Sequence, residues 1–236
     1  MTALLGGLYW LLLLPLLPWL IIQGRQTRKT ALRLPEAAGE RQGQAGEGAP
    51  FTLIVIGESP VAGVGVAHQR DGLGPALAGP LAARLACRVS WYCHGSNGIR
   101  IDQLLADPLH GLPERADTVL VMMGVNDTSG LTPLHQWRRR LGLLRERLHG
   151  RFAAPVFFCA VPPMHRFTAL PQPLRAVIGL RARLLDRILA STCRRLDYGQ
   201  VEGSDLLAED GYHPSAAGFR VIGERLAKAL AHDLHQ

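Results

Sequence analysis

The sequence has little of several features that identify whole classes of protein. Its four cysteines (Cys87, Cys93, Cys159 and Cys193) are scattered among 236 residues, and none lies in a Cys-x-x-Cys pair. This excludes a disulfide framework and gives no support to a zinc or redox site, so we expect the cysteines to be small core residues. Only two of the 26 basic residues are lysines, and no nucleic-acid-binding motif accompanies the net charge of +7. We therefore expect no nucleic-acid partner.

A long uncharged segment stands at the N-terminus. Nineteen residues from Leu4 to Ile22 carry no charge, and as a helix they would span about 28 Å, close to the hydrocarbon thickness of a bilayer. A cleaved signal peptide is the alternative, but no Lys or Arg precedes the segment and no small-residue cleavage site follows closely. We predict an N-terminal transmembrane anchor in residues 1–22. The basic residues after it favour a cytoplasmic remainder of the chain, with an extracytoplasmic one still open: Arg25, Arg28, Lys29 and Arg33.

The rest of the chain divides into a tether and one domain. Residues 23–50 show no apolar periodicity, which predicts a flexible basic and glycine-rich linker. In residues 51–236, short apolar runs alternate with helix-like stretches. The predicted strands are residues 51–56, 89–93, 118–123 and 155–161, and the predicted helices are residues 74–86, 99–106, 134–148, 174–193 and 215–234. This order predicts an α/β fold, a doubly wound, mostly parallel sheet sandwiched by helices, with a ligand crevice at the carboxyl ends of the strands.

Two segments carry reactive side chains, one directly after the first predicted strand and one directly before the last predicted helix. Ser59 follows the first strand in the segment Gly-Glu-Ser-Pro, where we expect the turn into a helix to present it at the sheet edge. A phosphate-binding glycine loop is the alternative there, but its spacing is wrong and no Gly-Lys-Ser/Thr follows. Asp210 precedes His213 by three residues, a spacing that lets the carboxylate orient the ring as a general base. A simple helix-entry turn explains that spacing equally well.

Two further segments offer hydrogen-bond donors. Asn126 follows the strand at residues 118–123, where its amide is able to point toward a developing oxyanion, although Asn-Asp is also an ordinary turn dipeptide. The glycines of Gly-Ser-Asn-Gly, residues 95–98, allow a backbone N–H to approach a ligand closely. Residues 162–167 also follow a strand, and they either border a substrate pocket or form a proline-rich loop.

In this order, the segments GESPVAG, HGSNG, GVND and DGYHP resemble the four blocks of the SGNH (GDSL-type) serine esterase family, over essentially all of residues 51–236. The resemblance implies Ser59 as nucleophile, His213 as general base and Asp210 as its orienting partner. It implies an oxyanion hole made of the N–H groups of Ser59 and Gly98, with Gly95 as the alternative glycine, and the side chain of Asn126. Glu58 departs from the family, which usually has Asp there.

The function expected from this resemblance is hydrolysis of carboxylic esters through an acyl-serine, without metal or cofactor. The substrate would be a small-molecule or lipid ester: a short-chain acyl ester, a lipid or an acylated glycan. Two alternatives stay open. One is acyl transfer by the same residues to an alcohol, and the other is a catalytically silent, membrane-anchored binding module.

Overall fold

A computed structural model describes residues 14–199 and 203–234. Its centre is a six-stranded sheet in the order β1-β3-β2-β4-β5-β6, in which β1 runs antiparallel to β3 and all other neighbours are parallel. The strands are β1 (Gln42–Ala45), β2 (Ala49–Gly57), β3 (Cys87–Gly95), β4 (Thr118–Met122), β5 (Val156–Cys159) and β6 (Arg194–Leu196). Four of the six lie where the sequence predicts strands.

Helices cover both faces of the sheet, so the three-layer α/β prediction is confirmed. They are α1 (Leu17–Thr30), α2 (Leu73–Leu85), α3 (Ile101–Ala106), α4 (Val125–Ser129), α5 (Leu134–Phe152), α6 (Leu174–Ala190) and α7 (Ala216–Leu234), with 3₁₀ turns at Leu14–Leu16, Gln69–Asp71, Met164–Arg166 and Ser204–Leu206. Helices α2 and α7 pack on one face, and α3, α5 and α6 pack on the other. Each strand of the centre is therefore apolar on both sides, which explains its near-continuous hydrophobic sequence. Three of the four cysteines are buried, and all four are free thiols.

The strand order determines where a site forms. The parallel strands lie in the order β3-β2-β4-β5-β6, which is the flavodoxin-like arrangement. Strands β2 and β4 are parallel neighbours, but the direction in which successive strands are added to the sheet reverses between them. Loops leaving these two neighbouring strands diverge to opposite faces and leave a crevice at their carboxyl ends. Ser59 follows β2 and Asn126 follows β4, so both border this crevice.

The predicted transmembrane helix is not supported. Residues 1–13 lie outside the described part of the chain, and α1, which contains Ile22, has only 14 residues and includes Arg25, Arg28 and Lys29. Among the described residues, no helix has both the length and the apolar character needed to cross a membrane. The localisation expected from this segment stays a prediction.

The expectation of a flexible tether over residues 23–50 is wrong where α1 extends to Thr30, where β1 forms and where β2 begins at Ala49. Helix α1 docks on α6, because Leu20 packs against Leu174 and the Gln23 amide donates to the carbonyl of Gln172 at 2.7 Å. Strand β1 pairs with β3 from Gln42 to Ala45. Its Gln-Gly-Gln-Ala sequence carries no apolar signal because a short edge strand gains its stability from backbone pairing.

Candidate active site

Three predicted residues meet in one hydrogen-bonded chain at the carboxyl ends of the strands. Nε2 of His213 lies 2.8 Å from Oγ of Ser59, and Nδ1 lies 2.6 Å from Oδ2 of Asp210. An ionised carboxylate only accepts hydrogen bonds, so the ring proton lies on Nδ1 and Nε2 accepts from the serine hydroxyl. Ser59 and His213 are 154 residues apart in sequence, and only the fold brings them together.

Tight turns, not a helix, present the serine. Residues 59–65 are a series of turns and the next helix begins only at Leu73, so the expected turn directly into a helix is wrong. Gly63 and Gly65 adopt φ values of +76° and +108°, which a helix does not allow. A Cβ on Gly65 would lie 2.2 Å from the carbonyl oxygen of Pro214. We call residues 59–65 the serine turn. The absence of a side chain at Gly65 lets this turn approach the segment that carries His213.

The turn from Asp210 to His213 holds the histidine in place. Oδ1 of Asp210 accepts the backbone N–H groups of Tyr212 at 2.9 Å and of His213 at 3.0 Å, while Oδ2 accepts from the ring. Burial alone would raise the pKa of Asp210, but the hydrogen bonds from the ring and backbone of His213 and from Tyr212 outweigh it and lower the pKa. Asp210 thus remains ionised beside the ring, as an orienting partner must.

Hydrogen bonds join the segments that carry the predicted oxyanion donors. Nδ2 of Asn126 donates to the carbonyl of Ile99 at 3.2 Å, which places this side chain against the end of the Gly-Ser-Asn-Gly turn. The turn is joined to the strand before Ser59, because the N–H of Ser96 donates to the carbonyl of Gly57 at 3.1 Å.

The two glycines of that turn have different surroundings. A Cβ on Gly95 would lie 2.5 Å from the backbone nitrogen of Ala62, so Gly95 serves close packing against the serine turn. Gly98 is exposed, has a φ of +81°, and has open space around a hypothetical Cβ. An N–H that is open to a ligand fits the role predicted for Gly98 better than a packed one.

Glu58 is the residue that departs from the family pattern, and it lies at the base of the site. Its side chain is 2% exposed, and its two carboxylate oxygens accept the backbone N–H groups of Gly124 and Asn126. Burial raises the pKa of Glu58 from 4.5 to about 8, although these backbone bonds oppose the shift. Glu58 therefore links the serine turn to the segment that carries Asn126, through groups 66 and 68 residues away in sequence.

Two residues that support this segment were not predicted. Asp127 is fully buried, and it accepts the hydroxyl of Thr132 at 2.6 Å and the N–H of Ile101 at 3.0 Å. Arg181, also buried, donates to the carbonyls of Thr128 and Thr132. Asp127 was interpreted only as part of an Asn-Asp turn. Arg181 lies in the predicted helix of residues 174–193, and the carbonyls that it binds are 53 and 49 residues away, so no local pattern marked its role.

A small cavity of about 130 Å³, open to solvent at its mouth, lies beside Ser59 and His213. Most of its wall is apolar and comes from the ends of β4 and β6, from both helices of one face and from the loop after β5: Leu73, Met122, Val125, Pro162, Pro163, Arg166, Phe167, Tyr198, Phe219 and Ile222. Phe167 and Tyr212 meet edge to face, with ring centroids 5.5 Å apart. Of the two interpretations left open for residues 162–167, the structure favours the pocket border.

A serine, histidine and aspartate joined in this order at the switch point of an α/β sheet define the class of serine hydrolases. Residues 55–221 match the model of the GDSL-like lipase/acylhydrolase family. The chain therefore belongs to this family of serine ester hydrolases, which confirms the resemblance to the SGNH family.

The chain is also similar to one esterase in sequence and to two solved structures in fold. The chain is 27% identical over 192 residues to GDSL-like esterase Rv1075c of Mycobacterium tuberculosis, covering 75% of this chain and 61% of that protein. The fold is similar to that of Axe2, an acetylxylan esterase from Geobacillus stearothermophilus, with 20% identity, a TM-score of 0.55 and coverage of 81% and 96% of the two chains. It is also similar to an extracellular lipase from Streptomyces rimosus, with 17% identity, a TM-score of 0.51 and coverage of 76% and 99%.

Proposed function

We propose that the protein hydrolyses carboxylic esters through an acyl intermediate on Ser59. The observation that carries the proposal is the hydrogen-bonded chain from Ser59 through His213 to Asp210. Family membership and an esterase relative support it independently.

The reaction begins when Oγ of Ser59 attacks the ester carbonyl and Nε2 of His213 takes the hydroxyl proton. Asp210 stabilises the resulting imidazolium through Nδ1. The N–H groups of Ser59 and Gly98 and the amide of Asn126 donate to the tetrahedral oxyanion. His213 then gives its proton to the departing alcohol, and a water molecule, activated by the same ring, releases the acid and restores Ser59.

The cavity supports a substrate with an apolar arm. Its wall contains aliphatic and aromatic side chains on the side of the site formed by Leu73, Phe219 and Ile222, and burying each methylene of a ligand there contributes about 0.8 kcal/mol. We therefore propose esters with an apolar group of several carbons, in preference to acetyl esters of polar alcohols.

Labelling with a fluorophosphonate tests the serine assignment on the full chain. The wild type is expected to label at Ser59 and to hydrolyse p-nitrophenyl esters, whereas Ser59→Ala loses both. Ser96→Ala is the matched control, because Ser96 is an exposed serine close to the site, and it is expected to label like the wild type. A folded Ser59→Ala protein with undiminished labelling or hydrolysis would refute the proposal.

A further inference from the structure

A segment before the matched family region crosses the active-site end of the sheet. We name residues 35–45 the N-terminal strap. Its first part lies along the serine turn: the N–H of Ala37 donates to the carbonyl of Ala62 at 3.2 Å, and the carbonyl of Ala38 accepts the N–H of Gln69 at 2.8 Å. The buried amide of Gln69 donates to the carbonyls of both Ala37 and Ala62, at 3.1 and 2.9 Å. The strap is thereby fixed to the loop that carries Ser59.

The second part of the strap binds the Gly-Ser-Asn-Gly turn of residues 95–98, here called the glycine turn, through two charged side chains. Oε1 of Glu36 accepts the backbone N–H of Asn97 at 2.6 Å, and Oε2 accepts Nη2 of Arg41 at 2.6 Å. Nη1 of Arg41 in turn donates to the carbonyl of Gly95 at 2.6 Å. Both side chains are about one third exposed. Charge-assisted hydrogen bonds of this length are among the stronger ones in proteins.

These contacts hold two consecutive peptide groups directly before the predicted oxyanion donor, the 95–96 and 96–97 peptides. Gly98 is exposed and lies in the left-handed region of backbone conformation, so its own packing does little to fix its orientation. Glu36 fixes the N–H of Asn97, the residue directly before Gly98, and Arg41 fixes the carbonyl at the start of the turn. A donor lowers the barrier only if it already points at the position of the oxyanion.

We infer that Glu36 and Arg41 are positioning residues, which orient the Gly98 N–H for the oxyanion and join the glycine turn to the serine turn. The inference rests on the proposed function. It extends the catalytic unit to residues outside the matched region of 55–221. The strap joins the turn that carries Gly98 to the turn that carries Ser59. Because its charged pair acts on the oxyanion donor, we expect it to affect stabilisation of the transition state, and thus kcat, and not substrate affinity.

The test compares Glu36→Ala and Arg41→Ala with Glu40→Ala in the full chain, because Glu40 is an exposed acidic residue of the same strap. Steady-state kinetics with a p-nitrophenyl ester should show kcat reduced at least tenfold in the first two variants, within the roughly 10²–10³-fold limit for complete loss of one oxyanion donor. KM should change less than about twofold, since the interaction is made only in the transition state. Fluorophosphonate labelling should slow in parallel, and Glu40→Ala should match the wild type.

Stability and hydrogen exchange separate positioning from general damage. The Glu36–Arg41 pair is still about one third open to solvent, which screens it, so its loss should cost little stability and the Tm of Glu36→Ala should stay within about 5 °C of the wild type. The amide of Asn97 should exchange faster in Glu36→Ala than in Glu40→Ala. Wild-type kcat in both Glu36→Ala and Arg41→Ala, or a loss of kcat matched by a general loss of Tm and exchange protection, would overturn the inference. A folded wild-type chain without esterase activity or labelling would instead overturn the proposed function itself.

Discussion

Replacing Glu58 with Gln should change how the stability of the protein depends on pH. The folded-state pKa of Glu58 is raised by burial from 4.5 to about 8. Below pH 4.5 the carboxyl is protonated in both the folded and unfolded states, and its titration adds no pH dependence. Between pH 4.5 and 8 the unfolded chain releases the proton while the folded chain keeps it, so the free energy of unfolding decreases as pH rises.

The magnitude follows from the size of the shift. Within this window each pH unit lowers the free energy of unfolding of the wild type by about 1.4 kcal/mol relative to a chain without the titrating group. Between pH 5 and pH 8 the decrease is on the order of 4 kcal/mol. Glutamine has nearly the same shape as protonated Glu58 and does not titrate, but its amide nitrogen is able to accept neither of the backbone N–H groups that the two oxygens of Glu58 bind. Glu58→Gln should therefore lose a pH-independent increment of stability, and relative to the wild type its free energy of unfolding should rise increasingly from pH 5 toward pH 8.

Urea unfolding at pH 5, 6, 7 and 8 measures this difference directly. Glu40→Gln is the control, because Glu40 is an exposed glutamate and its replacement should leave the pH dependence unchanged. Near-ultraviolet circular dichroism checks that Glu58→Gln keeps its tertiary packing. A difference in unfolding free energy between Glu58→Gln and wild type that stays constant from pH 5 to pH 8 would show that Glu58 titrates near its ordinary pKa, and the reasoning would be refuted.

Three other predictions concern the site and its cavity. Asn126→Ala should lower kcat roughly 10²–10³-fold in ester hydrolysis, as expected for a lost oxyanion donor, and an unchanged kcat would exclude that role. Gly65→Ala should lower the free energy of unfolding by at least about 1–3 kcal/mol in urea titrations, because a Cβ would meet the carbonyl of Pro214 at a φ of +108°. Across p-nitrophenyl esters from acetate to octanoate, kcat/KM should rise by up to about fourfold per methylene until the cavity is filled, and an optimum at acetate would contradict the apolar-arm proposal.

The central strands and long helices were predictable because each has a strong local pattern. Strand β2 and helix α5, for example, begin within two residues of their predicted positions. The edges of the sheet were not predictable. Strand β6 contains Arg194 and Arg195, whose side chains lie over the ring of Phe157 and beside Asp186, respectively. Neither contact leaves an apolar or alternating pattern in the sequence of the strand itself, so no local signal marks it.

The same distinction applies to the site. Ser59, Asp210 and His213 were predictable because each belongs to a short motif at a strand end or helix entry, and topology brings such ends together. Glu36 and Arg41 were missed because their partners, the N–H of Asn97 and the carbonyl of Gly95, are backbone groups 61 and 54 residues away. Every residue type supplies a backbone carbonyl, and every type except proline supplies a backbone N–H, so no motif identifies the side chain that binds such a group.

The short edge strands protect the sheet from self-association. Strand β1 has four residues and covers the free edge of β3, while the opposite edge is the three-residue, arginine-containing β6. Short polar or charged edges offer little template for pairing with the sheet of another molecule. A chain shortened to begin at Pro50 would uncover the edge of β3 that β1 pairs with, from Val89 to Tyr92. Such a chain is expected to aggregate at concentrations at which the full-length protein remains dispersed.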